Sequence, residues 1–526
     1  MALRVYNTLS GKKEEFIPIT PPKVGMYACG VTVYDYCHIG HARSALAFDV
    51  IRRYLEFSGF DVTYVRNYTD IDDKIIAKSL EEGSDWREIA DTFIRVHDED
   101  MDALGIMRAH EEPRATDYIP QIIDIVRTLE EKEFAYDIDG DVYYEVSRFE
   151  PYGKLSGRKP DELKAGARIE VDERKRDPLD FALWKRSKPE EPMWKSPWGK
   201  GRPGWHIECS AMSMALLGQS FDIHGGGKDL IFPHHENEIA QSEAANGKPF
   251  AKYWIHNGFV NIDSEKMSKS LGNFFTIREV LEKFPAEVIR FFLLSTHYRS
   301  PLDFSDAALE EAEKGLKRFA HLFNRMSRIG KEERVPNESE KEGLDTLKVK
   351  VEQAFIDSMD DDFNTAGALG HLFTAIPVIN ALLTKAENGS QIGLAENFYE
   401  YVDDLMKKFG KVLGLFEDGI SWGSSFLGIK DVVVKVDTIL PISDVLSIEV
   451  QTHEETMKLR AKAGFEAEAF VVPKEVNELI EERIKARTEK NWARADELRD
   501  EIAALGFEIQ DTPQGSVPIP IKQDSS

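Results

Sequence analysis

Hydrophobic positions change their spacing twice between residues 24 and 69. Residues 24–28 (VGMYA) form a short apolar run that Gly30 interrupts, and further along Val62 and Tyr64 alternate with polar residues. Between these two stretches, apolar residues recur at steps of three and four: Ala45, Phe48, Ile51 and Leu55. The spacing predicts a strand, a helix and a second strand, which together form a βαβ unit. Such a unit implies a parallel sheet with a ligand crevice at the carboxyl ends of its strands.

A second segment of the same kind follows a stretch without a clear pattern. Residues 130–202 lack periodicity and are rich in charge and proline, as expected of an insertion between two halves of a doubly wound sheet. Residues 221–227 (FDIHGGG) then predict a strand that runs into a glycine turn. Pro233 occupies a position typical of a helix start, and we expect this helix to run from His234 to about Ala245.

The carboxyl-terminal half has the pattern of long helices. After Pro301, apolar residues recur at helical spacing in three stretches: Leu309, Ala312, Leu316, Phe319, Phe323 and Met326; Ala366, Leu369, Phe373 and Ile376; Phe398, Val402, Leu405 and Phe409. We therefore expect an α/β protein with a doubly wound, Rossmann-like parallel-sheet domain over residues 1–300 and an α-helical bundle over 301–420. Residues 421–472 fit neither pattern and stay unassigned. Residues 473–526 form a last segment, with a charged helix that Gly506 ends.

Composition places the chain among large globular proteins. Its 526 residues, 42% of them apolar, suffice for about three domains. No uninterrupted apolar run approaches the ~20 residues of a membrane span. The first sixteen residues mix strand-like residues with two lysines and two glutamates, which is not the pattern of a signal or transit peptide. We therefore expect a cytoplasmic protein with no membrane partner.

The net charge limits contacts with nucleic acid to local surfaces. A formal charge of -26 opposes nonspecific binding to a polyanion, which needs lysine and arginine at the phosphates. Residues 174–202 are the exception, because nine basic residues there outnumber four acids and interleave with Trp184, Trp194 and Trp198. This combination is typical of surfaces that stack unpaired nucleotides. A solvated segment whose tryptophans pack on the protein body explains the same pattern equally well.

Two short motifs point to nucleotide chemistry. Residues 38–41 (HIGH) lie at the predicted strand-to-helix turn, where backbone donors and the helix dipole favour anions. Gly40 lets a flat adenine or ribose approach the backbone closely. Residues 266–270 (KMSKS) follow an apolar run and form a basic loop suited to phosphates. Alone, either motif is explained by surface histidines or a solvated loop, but the ordered pair is the signature of class I aminoacyl-tRNA synthetases.

Spacing alone gives only weak support for a metal site. His234 and Glu238 are four apart on a predicted helix and therefore share one face, which suits two ligands of one ion. Cys29 ends a strand and Cys209 follows a loop, but their separation is not a zinc-spacing motif. A buried cysteine and a helix salt bridge remain the alternative explanation. Cys37, one residue before His38, is expected to be a packing residue.

The flanking sequence resembles cysteinyl-tRNA synthetases. The similarity runs through residues 27–35 (YACGVTVYD), 202–210 (RPGWHIECS) and 232–238 (FPHHENE), and continues more weakly through residues 355–365 (FIDSMDDDFNT). The resemblance implies one zinc ion per subunit held by Cys29, Cys209, His234 and Glu238, and ATP with Mg²⁺ as nucleotide. It also implies L-cysteine and tRNA(Cys) as partners.

Each further site residue has an expected role, which for Trp205 and Asp229 rests on position alone. His38 and His41 would contact the phosphates of ATP, and Lys266 and Lys269 the leaving pyrophosphate. The remaining candidates for nucleotide or substrate contacts are Gly40, Gly226, Thr69, Trp205 and Asp229. We expect Asp222 and His224 to help form the adenosine pocket, although a turn that needs glycine explains the neighbouring glycines equally well. Zinc binds a thiolate far better than a hydroxyl, so it would separate cysteine from serine where shape cannot.

The contacts with tRNA are predicted less firmly than the catalytic site. The resemblance implies that the helical half contacts the tRNA stem and anticodon, with residues 130–202 at the acceptor end. Candidate anticodon contacts are Arg483, Lys485, Arg487, Lys490, Trp492 and Arg494, but such a run is more often a solvated helix face. A cysteine-adenylating ligase acting on a small-molecule amine and an inactive RNA-binding paralogue are the alternatives.

Overall fold

The structure is a computed structural model that describes most of the chain. The described residues are 2–158, 174–262, 265–266, 274–388, 393–427 and parts of 479–520. They divide into two compact units, Met1–Asp431 and Val432–Ser526.

The elements of the larger unit follow in chain order. Its strands are β1 (Arg4–Asn7), β2 (Lys12–Glu15), β3 (Lys23–Thr32), β4 (Asp61–Thr69), β5 (Ala135–Ile138), β6 (Asp141–Tyr144), β7 (Phe181–Arg186), β8 (Trp194–Ser196), β9 (Gly199–Pro203), β10 (Phe221–Gly227), β11 (Ala251–Asn257), β12 (Val260–Ile262), β13 (Glu265–Lys266), β14 (Leu302–Asp303), β15 (Lys331–Glu332) and β16 (Leu394–Ala395). Its helices are α1 (Ile39–Phe57), α2 (Asp73–Glu82), α3 (Trp86–Ala103), α4 (Ile119–Glu131), α5 (Trp205–Leu217), α6 (Glu236–Asn246), α7 (Ile277–Leu281), α8 (Ala286–Leu294), α9 (Asp306–Ile329), α10 (Glu338–Leu347), α11 (Ala354–Asp360), α12 (Thr365–Phe373), α13 (Ala375–Asn388), α14 (Glu396–Leu413) and α15 (Ser421–Phe426).

The central sheet is parallel, which confirms the predicted fold class. Its strand order is β11-β10-β3-β4, and β3 pairs with both β10 and β4 in parallel register. The α1 helix connects β3 to β4 and buries the four apolar residues that predict it. Because all four strands run the same way, their carboxyl ends meet at one edge of the sheet.

Gly30 does not end the first strand, which corrects the interpretation made from the sequence. The β3 strand continues to Thr32 through an irregularity between Ala28 and Val31. A Cβ atom on Gly30 would lie 1.6 Å from the carbonyl oxygen of Asn67, and the Gly30 amide donates to Oδ1 of the same residue. Glycine is needed here because β4 approaches too closely for a side chain.

The stretch without sequence periodicity contains short antiparallel strands. Its five-stranded sheet has the order β5-β6-β7-β9-β8 and lies between the two halves of the parallel sheet in chain order. The strands have three to six residues, so none is long enough to show a clear alternation. Trp184 is fully buried in this sheet and Trp198 donates to Glu130, so these two tryptophans pack on the protein body.

The helices after Pro301 form a bundle. All six predicted apolar positions of α9 are buried, from Leu309 to Met326. The stretch Thr365–Asn388 is long and apolar enough to cross a membrane by length and composition. In the structure it is the helix pair α12 and α13, whose apolar residues Leu372, Ile379 and Leu383 are fully buried in the bundle core.

The smaller unit is described only in part. The helix expected over residues 473–505 is present as α16 (Trp492–Ala504), followed by an antiparallel hairpin of β17 (Phe507–Thr512) and β18 (Gly515–Pro520). The candidate anticodon residues Lys485, Arg487 and Lys490 lie outside the described residues. Arg494 forms ion pairs with Glu497 and Glu501 on its own helix.

Candidate active-site cleft and metal centre

A cleft of about 370 Å³ opens at the carboxyl ends of the parallel strands. Its walls include the end of β3, the start of α1, the turn after β10 and residues 257–260 after β11. This volume lies within the usual size of small-molecule sites, about 300 to 1,000 Å³. The cleft therefore occupies the crevice that the βαβ pattern predicts.

The two signature histidines begin α1 at the cleft wall. His38 is the helix N-cap: its Nδ1 accepts from the His41 amide, and His41 Nδ1 accepts from the His38 amide. The imidazole rings stack with centroids 3.8 Å apart. This reciprocal capping fixes both side chains beside the positive end of the helix dipole, where anions are stabilised.

Three other predicted residues line the same cleft. Gly40 lies in the first turn of α1, Trp205 begins α5, and Asp229 follows the glycine turn of β10. The Trp205 indole is 38% exposed and stacks on the His234 imidazole, with ring centroids 4.2 Å apart. The cleft and the candidate metal residues are therefore in direct contact.

Other predicted contacts lie outside the cleft wall. The Thr69 hydroxyl is buried and donates to Glu208, and Gly227 rather than Gly226 lines the cleft. A Cβ on Gly226 would lie 2.8 Å from Leu230 and 3.0 Å from the His235 ring, so this glycine permits close packing.

The adenosine-pocket prediction for Asp222 and His224 is wrong. The Asp222 carboxylate accepts from the amides of Ile19 and Gly25 at the opposite end of the sheet. The His224 ring is fully buried and contacts Glu238. Asp222 lies near the start of β10, away from the cleft, and His224 lies mid-strand with its side chain directed at Glu238.

The second signature is described only at its start. Lys266 lies in β13, which pairs antiparallel with β12, and Asn261 is its register partner. Lys269 lies outside the described residues.

Cys29, Cys209, His234 and Glu238 converge beside the cleft, and we call them the four-ligand centre. The Cys29 and Cys209 sulfurs are 3.7 Å apart, and Cys209 Sγ lies 3.6 Å from His234 Nε2. Glu238 Oε1 lies 3.1 Å from His234 Nε2 and 3.5 Å from Cys29 Sγ. Residues from β3, α5, the turn before α6 and α6 itself thus meet at one point.

These distances match the edges of a zinc-sized tetrahedron. Bonds of about 2.3 Å to sulfur and about 2.0–2.2 Å to nitrogen and oxygen give edges of about 3.8 Å between sulfurs, about 3.5 Å from sulfur to nitrogen or oxygen, and about 3.3 Å from nitrogen to oxygen. The four side chains therefore fit one zinc ion. Two thiolates, an imidazole and a carboxylate are also a donor set that zinc accepts.

A second group shares two of these residues but fits less well. It consists of Cys29, His224, His235 and Glu238. His235 Nε2 is 3.9 Å from Glu238 Oε1, longer than the expected edge, whereas His224 Nε2 is 2.8 Å from Glu238 Oε2, an ordinary hydrogen bond. We interpret His224 and His235 as supports of the centre, which sequence spacing did not reveal.

Burial and charge set the protonation of the centre. The hydrogen bond from Cys29 lowers the pKa of Cys209 to about 6 against the effect of burial, whereas burial raises the pKa of Cys29 well above 9. Burial lowers the pKa of His234, but Glu238 and Cys209 outweigh this effect and raise it to about 10. For Glu238, burial is outweighed by His224 and His234, so its pKa lies well below the ordinary value.

A set of histidines orients the ligand side chains from behind. His234 Nδ1 lies 2.9 Å from His206 Nδ1, and His235 Nδ1 lies 2.8 Å from His256 Nε2. With His234 Nε2 directed at the centre, its Nδ1–H donates to His206. Such outer partners fix the tautomer of a metal-binding imidazole.

Two cations in the cleft wall were not predicted. Arg66 extends from β4 and Lys74 from α2, and Lys74 Nζ lies 5.2 Å from the centre of the Tyr34 ring. The sequence signal for Arg66 was its position as the single cation among the nine residues of β4. Cys37 is 3% exposed and belongs to the apolar core, as predicted for a packing residue.

Comparison with protein families divides the chain into three matches. Residues 15–314 match the family described as tRNA synthetases class I (C) catalytic domain. Residues 354–417 match the DALR domain, and residues 471–516 match the Cysteinyl-tRNA ligase anticodon binding domain.

Curated relatives match over nearly the whole length. Cysteine-tRNA ligase of Geobacter metallireducens is 53% identical over 521 residues, covering 98% of this chain and 99% of the relative. The enzyme of the same name from Trichlorobacter lovleyi is 54% identical over 520 residues, with the same coverage.

Solved structures show the same fold at low identity. Mycobacterium tuberculosis methionyl-tRNA synthetase in complex with methionyl-adenylate is 16% identical, with a TM-score of 0.56 over 77% of this chain and 93% of the other. Leucyl-tRNA synthetase from Agrobacterium radiobacter K84 is 13% identical, with a TM-score of 0.55 over 80% and 87%.

Proposed function

Because the chain belongs to the cysteine-tRNA ligase family, the class I aminoacyl-tRNA synthetases that charge tRNA with cysteine, we propose that its four-ligand centre holds one zinc ion that selects cysteine. The observation that carries this proposal is the tetrahedral spacing of the four side chains beside the cleft. ATP with Mg²⁺ supplies the free energy of the reaction.

The reaction has two steps. The carboxylate of cysteine attacks the α-phosphate of ATP, forming cysteinyl-adenylate and releasing pyrophosphate. A hydroxyl of the terminal ribose of tRNA then attacks the carbonyl of the adenylate and releases AMP. Because no protein nucleophile takes part, catalysis comes from positioning and from stabilisation of the phosphate charge.

His38 and His41 act on the phosphates. Their mutual capping supports this role, because it holds both rings beside the orphan donors of the first turn of α1. Gly40 admits the nucleotide to the backbone at the same turn. Lys266 and Lys269 bind the leaving pyrophosphate.

The amino acid lies between the nucleotide and the four-ligand centre. Trp205 covers it, since its indole is stacked on His234 and still reaches the cleft. Asp229 receives the substrate ammonium group or a ribose hydroxyl. Thr69 acts indirectly, because its hydroxyl bonds to Glu208, the residue before Cys209.

Zinc explains the choice of cysteine over serine. Shape alone discriminates between side chains of similar volume by only ~1–3 kcal/mol. When bound, zinc supplies a borderline-soft Lewis acid that prefers a thiolate to a hydroxyl. The protein's own contribution is to orient the ligands through His206 and His224.

A zinc assay combined with pyrophosphate exchange tests this proposal. Cys209→Ser should lose zinc and cysteine-dependent exchange, whereas Cys37→Ser, at another buried thiol, should retain zinc. In cobalt-substituted enzyme, where Cys29 and Cys209 already give a sulfur-to-cobalt absorption band, cysteine but not serine should strengthen this band. Full zinc content in Cys209→Ser, or no spectral change with cysteine, would contradict the proposed selection.

The proposed partner is tRNA(Cys), and the proposed location is the cytoplasm. The match of residues 471–516 to an anticodon-binding family supports contact with the anticodon by residues 473–526. We assign the bundle of residues 301–420 to the tRNA stem, and residues 130–202 to the acceptor end. A ligase for a small amine would not need an anticodon-binding domain, so that alternative is not favoured.

A further inference from the structure

A second cavity lies beside the connection between β4 and α2. It has a volume of about 250 Å³ and is lined by Asp70, Trp86, Arg87, Arg114, Thr116 and Trp194, among others. We call it the indole pocket. It is separate from the cleft and shares none of the residues that line it.

The pocket joins two parts of the fold through two tryptophans. Trp86 begins α3, and Trp194 begins β8, the edge strand of the inserted sheet. Their rings meet at 6.0 Å with an interplanar angle of 70°. Both side chains are only half-buried, unlike Trp184 in the same inserted sheet, so they retain surface that faces the cavity.

Charged groups at the rim suit an anionic backbone. The Arg87 guanidinium lies 4.4 Å from the centre of the Trp86 ring, and its ion pair with Asp85 is exposed and 3.8 Å long. Exposed ion pairs of this kind contribute little, so the cation remains available to a phosphate. Arg114 pairs with exposed Asp91 on the same rim.

The inserted sheet adds positive charge next to Trp194. Lys195 lies directly opposite Lys200 on the neighbouring strand, and both residues are exposed. Like charges at opposed positions destabilise a strand pair unless an anion lies between them. Residues 174–202 carry nine basic and four acidic residues, a net charge of +5 in a chain of net charge -26.

The floor of the pocket can bind the edge of a base. Asp70 is 3% exposed, and its carboxylate accepts from the amide and the hydroxyl of Thr116 at 3.0 and 2.5 Å. Each carboxylate oxygen has a further lone pair, which suits an amino group of a nucleobase. A volume of this size accommodates one base and excludes a duplex.

Position relative to the cleft identifies which nucleotide fits. Asp70 directly follows Thr69, which bonds to Glu208 beside the four-ligand centre. Asp73, three residues on, binds Lys185 and Arg202 of the inserted sheet, and Lys74 lines the cleft. The pocket is therefore close to the place where the terminal ribose of tRNA must react.

We propose that the indole pocket binds an unpaired nucleotide of the tRNA acceptor end. The base lies against Trp86 and Trp194. The phosphates lie at Arg87 and at the opposed lysines Lys195 and Lys200. The inference rests on the proposed function, because it takes tRNA as substrate. Stacking on aromatic side chains tolerates any base, so the pocket positions the acceptor end more than it reads its sequence.

The test separates tRNA binding from adenylate formation. Trp194→Ala should raise the KM for tRNA in charging by about 5- to 150-fold, the effect of losing one stacked base. Trp194→Phe, which keeps an aromatic face, should restore most of the affinity. Cysteine-dependent pyrophosphate exchange uses no tRNA, so it measures adenylate formation in the cleft independently of the indole pocket. Arg87→Ala changes an exposed side chain and gives a second variant with a smaller expected increase in KM.

A truncated tRNA then locates the contact. Removal of the unpaired 3′ nucleotides should weaken binding to the wild-type enzyme and have little further effect on Trp194→Ala. The proposed nucleotide site would be refuted by an unchanged KM for tRNA in both Trp194→Ala and Arg87→Ala. It would also be refuted if truncation and substitution weakened tRNA binding additively. Either result leaves the proposed function intact. Wild-type enzyme without cysteine-dependent exchange would instead overturn the proposed function.

Discussion

Zinc binding to the four-ligand centre should release two protons near neutral pH. In the metal-free centre, Cys209, with a pKa of about 6, is a thiolate, and Glu238, with its depressed pKa, is a carboxylate. His234, with a pKa of about 10, is protonated, and Cys29, with a pKa raised well above 9, is a thiol. Zinc binds only the deprotonated forms, so one proton must leave His234 and one Cys29.

The number of protons fixes how zinc affinity depends on pH. Protons compete with the metal, so affinity rises as pH rises. Each released proton contributes a factor of about ten per pH unit, or about 1.4 kcal/mol. Release of two protons therefore raises zinc affinity by a factor of about 100 per pH unit, at pH values between the pKa of Cys209 and that of His234. Below pH 6 Cys209 is protonated as well, and the dependence should steepen to three protons.

Two measurements check this number. Competition with a chelator between about pH 6.5 and 8.5, corrected for protonation of the chelator, gives the slope of zinc affinity. Calorimetry in buffers of different ionisation enthalpy counts the released protons directly. Cys29→Ser, titrated with enough zinc to fill its weakened three-ligand centre, has no thiol to deprotonate at this position and should release one proton. A pH-independent affinity, or equal proton release by both proteins, would refute the reasoning.

Three further substitutions have expected outcomes. His206→Ala removes the partner of His234 Nδ1 and should lower zinc affinity by about 10- to 100-fold in chelator competition; unchanged affinity would exclude this support. Arg290→Ala removes one of the partners of the buried Asp49 carboxylate. The free energy of unfolding, measured by urea denaturation, should fall by about 3–5 kcal/mol. An unchanged free energy of unfolding would contradict this role. Gly30→Ala places a methyl group against the neighbouring strand and should lower stability by about 1–3 kcal/mol in thermal unfolding; full stability would show that β4 can retreat.

The main elements of the fold follow from local patterns. The βαβ unit and the bundle helices were predicted because each buries one apolar face over ten or more residues, which makes the period visible. The inserted sheet was not predicted, because strands of three to six residues are too short for periodicity to emerge. Its stability depends on long-range pairing, such as that of β6 with β7, which no local window contains.

The candidate site divides in the same way. Spacing of four residues paired His234 with Glu238, since one helical turn brings them to the same face. Spacing gave no reason to assign Cys29 and Cys209, 180 positions apart, to one metal site. Only the resemblance to cysteinyl-tRNA synthetases indicated this pairing. The direction of side chains at strand ends also escaped prediction: His224 turns inward to Glu238, whereas Asp229, five residues on, reaches the cleft.

The helical bundle reaches the cleft wall through one buried carboxylate. Asp362, at the turn after α11, is fully buried and accepts from Tyr298 Oη at 2.8 Å and from Arg299 Nε at 2.6 Å. The Tyr298 carbonyl in turn accepts from the amide of Gly258, a residue of the cleft wall. From the other side Arg43 of α1, the helix that carries the signature histidines, donates to the Phe259 carbonyl at 3.1 Å. The α11 turn and the cleft wall are therefore joined by a continuous chain of hydrogen bonds. If tRNA binds the bundle as proposed, this connection is a physical route by which it can act on adenylate formation.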